Sequence, residues 1–384
     1  MTTPNETEYF LKKFSELSHK YLSELSEQPV AKLAIESPNT SFQHNSRSSK
    51  EAVSLLTQQV IPYLSGSAGP RYWGFVTGGA NPAALFADWL VSTFDQNVSK
   101  DGDSIASAIE HQTLDWVKSL FYLPDEYNGI VTTGATSANF LAADIARQFA
   151  GQQQSIDIAQ HGMQNLSVEI FSASPHASMT KSLGLAGFGQ QQITQVQKVT
   201  NTEQMSIKNL AAKLHNSNAK SKIVIASSAT VTATSFDDLM AISKLCKQHQ
   251  AWLHVDAAFG IFERLLNPTE GKTKGIEFAD SITVDFHKWL NVPYDAGAIF
   301  TRHQNLLVQS CDVNAPYLSN GDGIPAFLSM GIENSRRFRA LPIWFTLLRY
   351  GREGIKTWVE KNITLAAELA NWISDHPNFE LALE

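Results

Sequence analysis

Cysteine, excess positive charge and long apolar runs are all scarce in this chain of 384 residues. Lys and Arg number 30 against 37 Asp and Glu, a net charge of -7, so the chain lacks the basic footprint that nucleic acid or an anionic membrane surface calls for. Two cysteines, Cys246 and Cys311, are too few for a disulfide framework or a zinc site, which suits a reducing compartment. The opening MTTPNETE has neither the basic region nor the apolar core of a secretory signal, and no apolar run is long enough to span a bilayer. The glycine-rich stretch GPRYWGFVTGGANP (69–82) is followed by no Gly-Lys-Ser/Thr, which argues against a P-loop. These absences lead us to expect a soluble, cytoplasmic protein. With 43% hydrophobic residues, the chain can bury a large core and is long enough for more than one domain.

What is present is organised around SITVDFHKWL (281–290) and the following NVPYDAG (291–297). Ile282 and Val284 alternate with polar residues as in a strand, and Pro293 and Gly297 mark a loop, so Lys288 falls just past a strand end. Two roles are open to it. Its stem can pack under Trp289 with the ammonium in water. Alternatively, a partly desolvated amine beside His287 is a nucleophile toward carbonyls, as in the Schiff base of pyridoxal phosphate. A second strand, AWLHVDAAFG (251–260), ends in Asp256. A pyridine nitrogen needs such an anionic partner to stay protonated and electron-withdrawing, and Ala257 and Ala258 are small enough for a flat ring to lie against the backbone. Ligands of open α/β sheets collect at the carboxyl ends of strands, where Asp256 and Lys288 can meet.

Other stretches fit that arrangement. GIVTT (129–133) is a strand, and GATS (134–137) opens a helix running to about Gln148. Unpaired N–H groups and the positive dipole end favour an anion there, with Thr136 and Ser137 as hydroxyl donors; either residue can equally serve as a plain N-cap. VEIFSA (168–173) is a strand leading through Ser174 and Pro175 to His176. KIVIAS (222–227) is a buried-type strand followed by Thr230, with Ser235 as N-cap of the next helix and Asp237 in a structural position. Amphipathic helices are expected over 5–25, 50–64, 84–89 and 105–121, and a connecting helix over 201–216. Alternating strands and helices from 129 to 301 predict a largely parallel sheet covered on both faces, with GAIFT (297–301) as an antiparallel member.

HVDAA (254–258) and ADSITVDFHKW (279–289), with Ser104 to Pro124, TGATSAN (133–139), SRRFRAL (335–341) and Trp344 to Gly354, resemble the group II pyridoxal-phosphate-dependent decarboxylases, which include aromatic amino acid, glutamate and diaminobutyrate decarboxylases. The resemblance runs from about Tyr72 to the end. It implies a type I aminotransferase-like α/β fold, a homodimer with both active sites at its interface, pyridoxal 5'-phosphate as cofactor and α-decarboxylation of an L-amino acid. Carried over residue by residue, it implies that Lys288 holds the aldehyde and Asp256 faces the ring nitrogen. His176 would stack on the ring and orient the substrate, and Thr136, Ser137 and His287 would bind phosphate. Ala258, Thr230 and Asp285 would be cofactor neighbours, and Phe75 and Thr77 would touch the substrate. Arg71 is a weaker candidate for an acidic substrate. The expected layout is an N-terminal helical segment over 1–70, a cofactor-binding α/β domain over 71–310, and a mobile loop with the start of a small domain over 311–384.

Three departures from the family pattern stand out. Ala229 and Thr234 occupy positions where the family usually has glycine, so the turn there is expected to differ. Counting back from Arg336 puts Phe327 where animal aromatic decarboxylases carry a loop tyrosine that helps protonate the substrate carbon, and the nearest tyrosine, Tyr317, is well upstream. Phenylalanine there is associated in the family with oxidative deamination to an aldehyde, which makes that reaction an alternative. Finally, relatives continue beyond Glu384, and FELAL (379–383) reads as a first strand without partners, so reduced stability is expected. A cofactor-binding protein without catalysis is the other alternative; the presence of both Lys288 and Asp256 favours an enzyme.

Overall fold

A computed structural model describes residues 4–32, 37–312 and 325–382. The chain divides into two compact units, residues 1–79 and residues 80–384.

In the first unit, α1 (Pro4–Ser23) and α2 (Ser49–Gln59) are joined by a hydrogen bond from Ser49 Oγ to Glu6 Oε1 at 2.7 Å. The α2 start is a capping box in which Ser48 accepts from the Glu51 N–H and the Glu51 carboxylate accepts from the Ser48 N–H. Phe10, Leu11 and Phe14 of α1 are exposed. Arg71 donates to the Gln28 carbonyl at 3.0 Å, which occupies its guanidinium with backbone.

The second unit is an α/β layer structure built on a seven-stranded sheet, as the alternation of apolar runs predicts. Its strands are β1 (Asn128–Thr132), β2 (Val168–Ser172), β3 (Ile193–Gln195), β4 (Ser221–Ser227), β5 (Trp252–Asp256), β6 (Ser281–Asp285) and β7 (Gly297–Thr301), in the order β1-β7-β6-β5-β4-β2-β3. The strands β3, β2, β4, β5 and β6 run parallel, and β7 is antiparallel to both β6 and β1. All five positions of β6 and of β7 are buried, so both sheet faces are covered.

The helices of this unit are α3 (Pro82–Phe94), α4 (Ala106–Leu120), α5 (Ala135–Gln152), α6 (Ile158–His161), α7 (Ala177–Leu185), α8 (Ile207–Asn216), α9 (Leu239–Gln248), α10 (Gln304–Cys311) and α11 (Ala340–Asp375). Helix α5 lies along β6 and β7 and reaches β5, burying Leu141, Ala142 and Ile145. Helix α11 packs on α3 and α4 and changes direction at Gly351, whose φ of 60° breaks the helical run.

Several local expectations are revised. Helix α9 starts at Leu239 with Asp238 as its N-cap, not at Ser235, because Asp238 accepts from the Ala241 N–H at 2.9 Å while Ser235 Oγ accepts from the Glu203 N–H. The connecting helix α8 begins at Ile207, since Lys198 and Met205 first form a β-bridge. Strand β3 carried no clear alternation. Residues Phe379–Ala382 form no strand, and Leu383 lies outside the described residues, as does Tyr317.

Phe327 is not a free loop residue. Its ring is 1% exposed, stacks on His111 with centroids 4.4 Å apart, and lies under the Arg336 guanidinium at 4.9 Å. Ungapped counting along the sequence had no means of detecting that this position faces the core.

Candidate active site

Strands β5 and β6 end side by side, and their continuations are laced together: the Ala257 N–H donates to the Thr283 carbonyl at 3.0 Å and the Asp285 N–H to the Ala258 carbonyl at 3.2 Å. Beyond β6 the chain folds back on itself, with the N–H groups of Phe286 and His287 both donating to the Ala296 carbonyl. This pins the turn that carries Lys288 at the carboxyl edge of the sheet.

The start of α5 meets both strand ends. Asp285 Oδ1 accepts the Ala135 N–H at 2.6 Å, and Asp256 Oδ2 accepts from Asn139 Nδ2 at 3.0 Å. Ala135 and Asn139 are one helical turn apart and share a face, which brings the two carboxylates along the first turn of α5. Gly134, at φ 132°, sits so close to His287 that a Cβ there would be 2.8 Å from the ring carbon Cε1. A side chain at this position would push the histidine out of the site.

Around Lys288 the charges converge. Its Nζ is 3.3 Å from Asp285 Oδ2, and His287 Nε2 is 3.5 Å from the same oxygen. Burial pushes the Asp285 carboxyl up from the ordinary carboxylate range, with the His287 and Lys288 charges and the Ala135 N–H pulling it back. Burial likewise pushes His287 down, against the Asp285 charge. His287 Nδ1 accepts the Ala296 N–H at 3.3 Å, so the ring proton sits on Nε2, facing Asp285.

At the other strand end, Asp256 Oδ1 accepts the Ala258 N–H at 3.2 Å. With Asn139 on Oδ2, each oxygen keeps lone-pair capacity for a further donor. Ala257 and Ala258 are buried, leaving a smooth wall beside the carboxylate.

The α5 terminus offers donors. Ala138 is the first residue to make the helical bond back to Gly134, and the Ala135 N–H is taken by Asp285. Among the described residues the Thr136 and Ser137 N–H groups have no partner within the protein. The Thr136 side chain is exposed, and the Ser137 hydroxyl is hydrogen-bonded to Thr133 Oγ1. His176, the N-cap of α7, exposes its ring, and its Nδ1 faces the Ser178 N–H and hydroxyl at 3.2 and 2.7 Å.

The structure thus brings Asp256, Ala258, Asp285, His287, Lys288, Thr136, Ser137 and His176 to one edge of the sheet. Thr230 follows β4 at that edge, but its hydroxyl accepts the Ser235 N–H at 3.1 Å, and no hydrogen bond joins it to the other site residues among those described. Ala229 and Thr234 take up φ of 68° and 52°, the left-handed conformation that glycine suits, so the turn keeps that shape with Cβ-bearing residues. Phe75 and Thr77 belong to the first unit, where Phe75 is exposed at φ 58° and Thr77 Oγ1 bonds the Gly74 carbonyl. Asp237 is structural, accepting from the Ser227 and Met205 N–H groups.

Asn139, Ser178, His254 and Ser281 escaped the sequence reading. His254 is two residues before Asp256 on β5 and therefore on the same face, a period-two signal that was available. Asn139 is a polar position inside an apolar helix, and its meaning appears only once α5 is laid on the strands.

Comparison with known proteins agrees with this site. The family described as "Pyridoxal-dependent decarboxylase conserved domain" matches residues 33–384. An aromatic-L-amino-acid decarboxylase of Bacillus atrophaeus is 29% identical over 349 residues, covering 89% of this chain and 71% of that protein. An L-2,4-diaminobutyrate decarboxylase of Acinetobacter baumannii is 27% identical over 318 residues, covering 78% of this chain and 62% of that protein. In fold, the chain is similar to the crystal structure of Oryza sativa TDC with PLP and tryptamine, at a TM-score of 0.92 and 20% identity over 100% of this chain and 83% of that one.

Proposed function

The chain belongs to the pyridoxal-dependent decarboxylase family, and on that footing we propose that it binds pyridoxal 5'-phosphate and removes the α-carboxylate of an L-amino acid as carbon dioxide, leaving the amine. The observation that carries this reading is the meeting of Asp256, Lys288 and the open start of α5 at one sheet edge.

The donor set fits the cofactor. Two unpartnered helix N–H groups, the Thr136 and Ser137 hydroxyls and the His287 imidazole suit a phosphate. The lone-pair capacity of Asp256 suits a protonated pyridine nitrogen, and the buried alanines suit a flat ring. Bound pyridoxal phosphate would supply an electron sink for the electrons of the bond broken at the α carbon.

The chain's own residues do the rest. Lys288 provides the amine that holds the aldehyde and is displaced by the substrate amine, and Asp285 keeps its Nζ pointed from the strand end. Asp256 supplies the fixed negative charge opposite the ring nitrogen. His176, projecting from the start of α7, stacks on the ring and orients the substrate so that the bond to be broken stands perpendicular to it. A homodimer belongs to this reading on the family resemblance, and sedimentation of the purified protein tests it. No helix of the described residues is long and apolar enough to cross a membrane.

The test is an absorption spectrum of the purified protein with added pyridoxal phosphate, before and after borohydride, beside Lys288→Ala. A visible band that bleaches on reduction, with the cofactor then found on the Lys288 peptide, is expected. An amino-acid panel scored for carbon dioxide, amine and aldehyde follows. A colourless protein overturns the cofactor reading in favour of a non-catalytic one, and aldehyde as the product overturns the simple decarboxylation.

A further inference from the structure

A chain of five polar groups runs through the core behind the site, and the donor at one end and the acceptor at the other fix the direction of every bond in it. Trp252 Nε1 can only donate, and it faces Ser281 Oγ at 3.2 Å. Ser281 therefore accepts there and gives its own hydroxyl proton to His254 Nδ1, 2.9 Å away. With Nδ1 accepting, neutral His254 carries its proton on Nε2 and donates to Asn139 Oδ1 at 3.1 Å. Burial favours that neutral ring, since His254 is 1% exposed.

The Asn139 amide is then oriented, with both Nδ2 hydrogens pointing the other way. One goes to Asp256 Oδ2 at 3.0 Å and one to Ser178 Oγ at 3.1 Å. The Asp256 end gives the same orientation independently, because a carboxylate accepts and the opposite amide flip would set oxygen against oxygen. Ser178, accepting from Asn139, must direct its hydroxyl proton to His176 Nδ1 at 2.7 Å, where its own backbone N–H also points.

We propose that Asn139 is the positioning residue of this site: held by His254, its amide sets one donor on Asp256 and, through the Ser178 hydroxyl, fixes His176 with its ring proton on Nε2. His176 therefore presents an N–H, not a lone pair, to whatever anionic group lies above it. In the proposed reaction that makes it a hydrogen-bond donor to the substrate carboxylate and not a base. This last step rests on the proposed function; the proton placement is a property of the protein without ligand.

The experiment is a long-range nitrogen–hydrogen NMR correlation of the 15N-histidine-labelled full chain without cofactor, at slightly alkaline pH. Loss of signals in His176→Gln and His254→Gln identifies the two rings. In the unsubstituted protein, both are expected to show an acceptor-type Nδ1 and an N–H-type Nε2. In Asn139→Asp the introduced carboxylate draws the Ser178 hydroxyl proton to itself, and His176 Nδ1 is expected to shift toward the N–H-type range; Asn139→Ala should give a tautomer mixture. A Nδ1-protonated His176 in the unsubstituted protein overturns the proposal without any variant. So does a His176 spectrum unchanged in a folded Asn139→Asp, which would leave Asn139 a packing residue only. If the tautomers are as expected but no cofactor binds, the proposed function fails and the positioning role stands.

Discussion

Asp285 Oδ2 stands 3.3 Å from Lys288 Nζ, three residues along the same chain segment. The other oxygen of that carboxylate is committed to the Ala135 N–H, so one buried side chain both aims the amine and ties the start of α5 to β6. Asp285→Ala removes both bonds and leaves a buried N–H unpaired, a loss of about 1–3 kcal/mol. Pyridoxal phosphate binding is expected to weaken along with it. Thermal melts of the cofactor-free protein and titration with pyridoxal phosphate measure the two effects separately; an unchanged melt would mean that the Ala135 N–H finds another partner.

Ala229 and Thr234 hold left-handed backbone conformations at φ 68° and 52°, and Thr234 is β-branched. Relief of that strain in Thr234→Gly outweighs the added freedom of the unfolded chain by about 1 kcal/mol. A rise in the denaturation midpoint with an unchanged m-value is the expected result.

Glu110 and Arg336 form an ion pair at 2.7 Å with both side chains fully buried. The Val98 and Val131 carbonyls complete the guanidinium's bonds, and the Val131 N–H donates to the carboxylate. Arg336→Met strands the Glu110 charge and is expected to cost about 3–5 kcal/mol, whereas Arg336→Met with Glu110→Gln recovers much of that loss. Urea unfolding of the single and double variants decides it.

Phe327 packs in the core on His111, so Phe327→Tyr buries an added hydroxyl and is expected to lower stability by about 1–3 kcal/mol. The ratio of amine to aldehyde among the products should stay as it is in the unsubstituted protein. A change in that ratio would return Phe327 to the chemistry.

Stability should depend on pH through His254. Burial holds this imidazole below its ordinary value of 6.5, with the Asp256 carboxylate pulling the other way. The unfolded chain therefore takes up the proton first, and the stability that His254 contributes is complete above pH 6.5 and lost as pH falls below it. Asp237 acts in the opposite sense: burial raises it from 3.8 to about 6, so its contribution is present at low pH and lost as pH rises through that window. The difference between the unsubstituted protein and His254→Gln isolates the histidine. That difference should narrow from pH 7.5 to pH 5; a constant gap would mean that His254 does not titrate on unfolding.

The sequence by itself determined the alternation of strands and helices, the parallel sheet with its antiparallel member, and the chemistry-bearing residues at strand ends. Lys288, Asp256 and the GATS turn stand where period and punctuation change, and such changes are local properties of a chain. Only the tertiary structure decided what lies between them. Asp285 reaches Ala135 across 150 positions, and Asn139 joins residues from α5, α7 and β5. The burial of Phe327 and the start of α9 at Asp238 were decided in the same way, by partners distant in the chain. A hydrogen bond is specified by two groups at about 3 Å, and no spacing rule along one strand or helix carries the position of the second group.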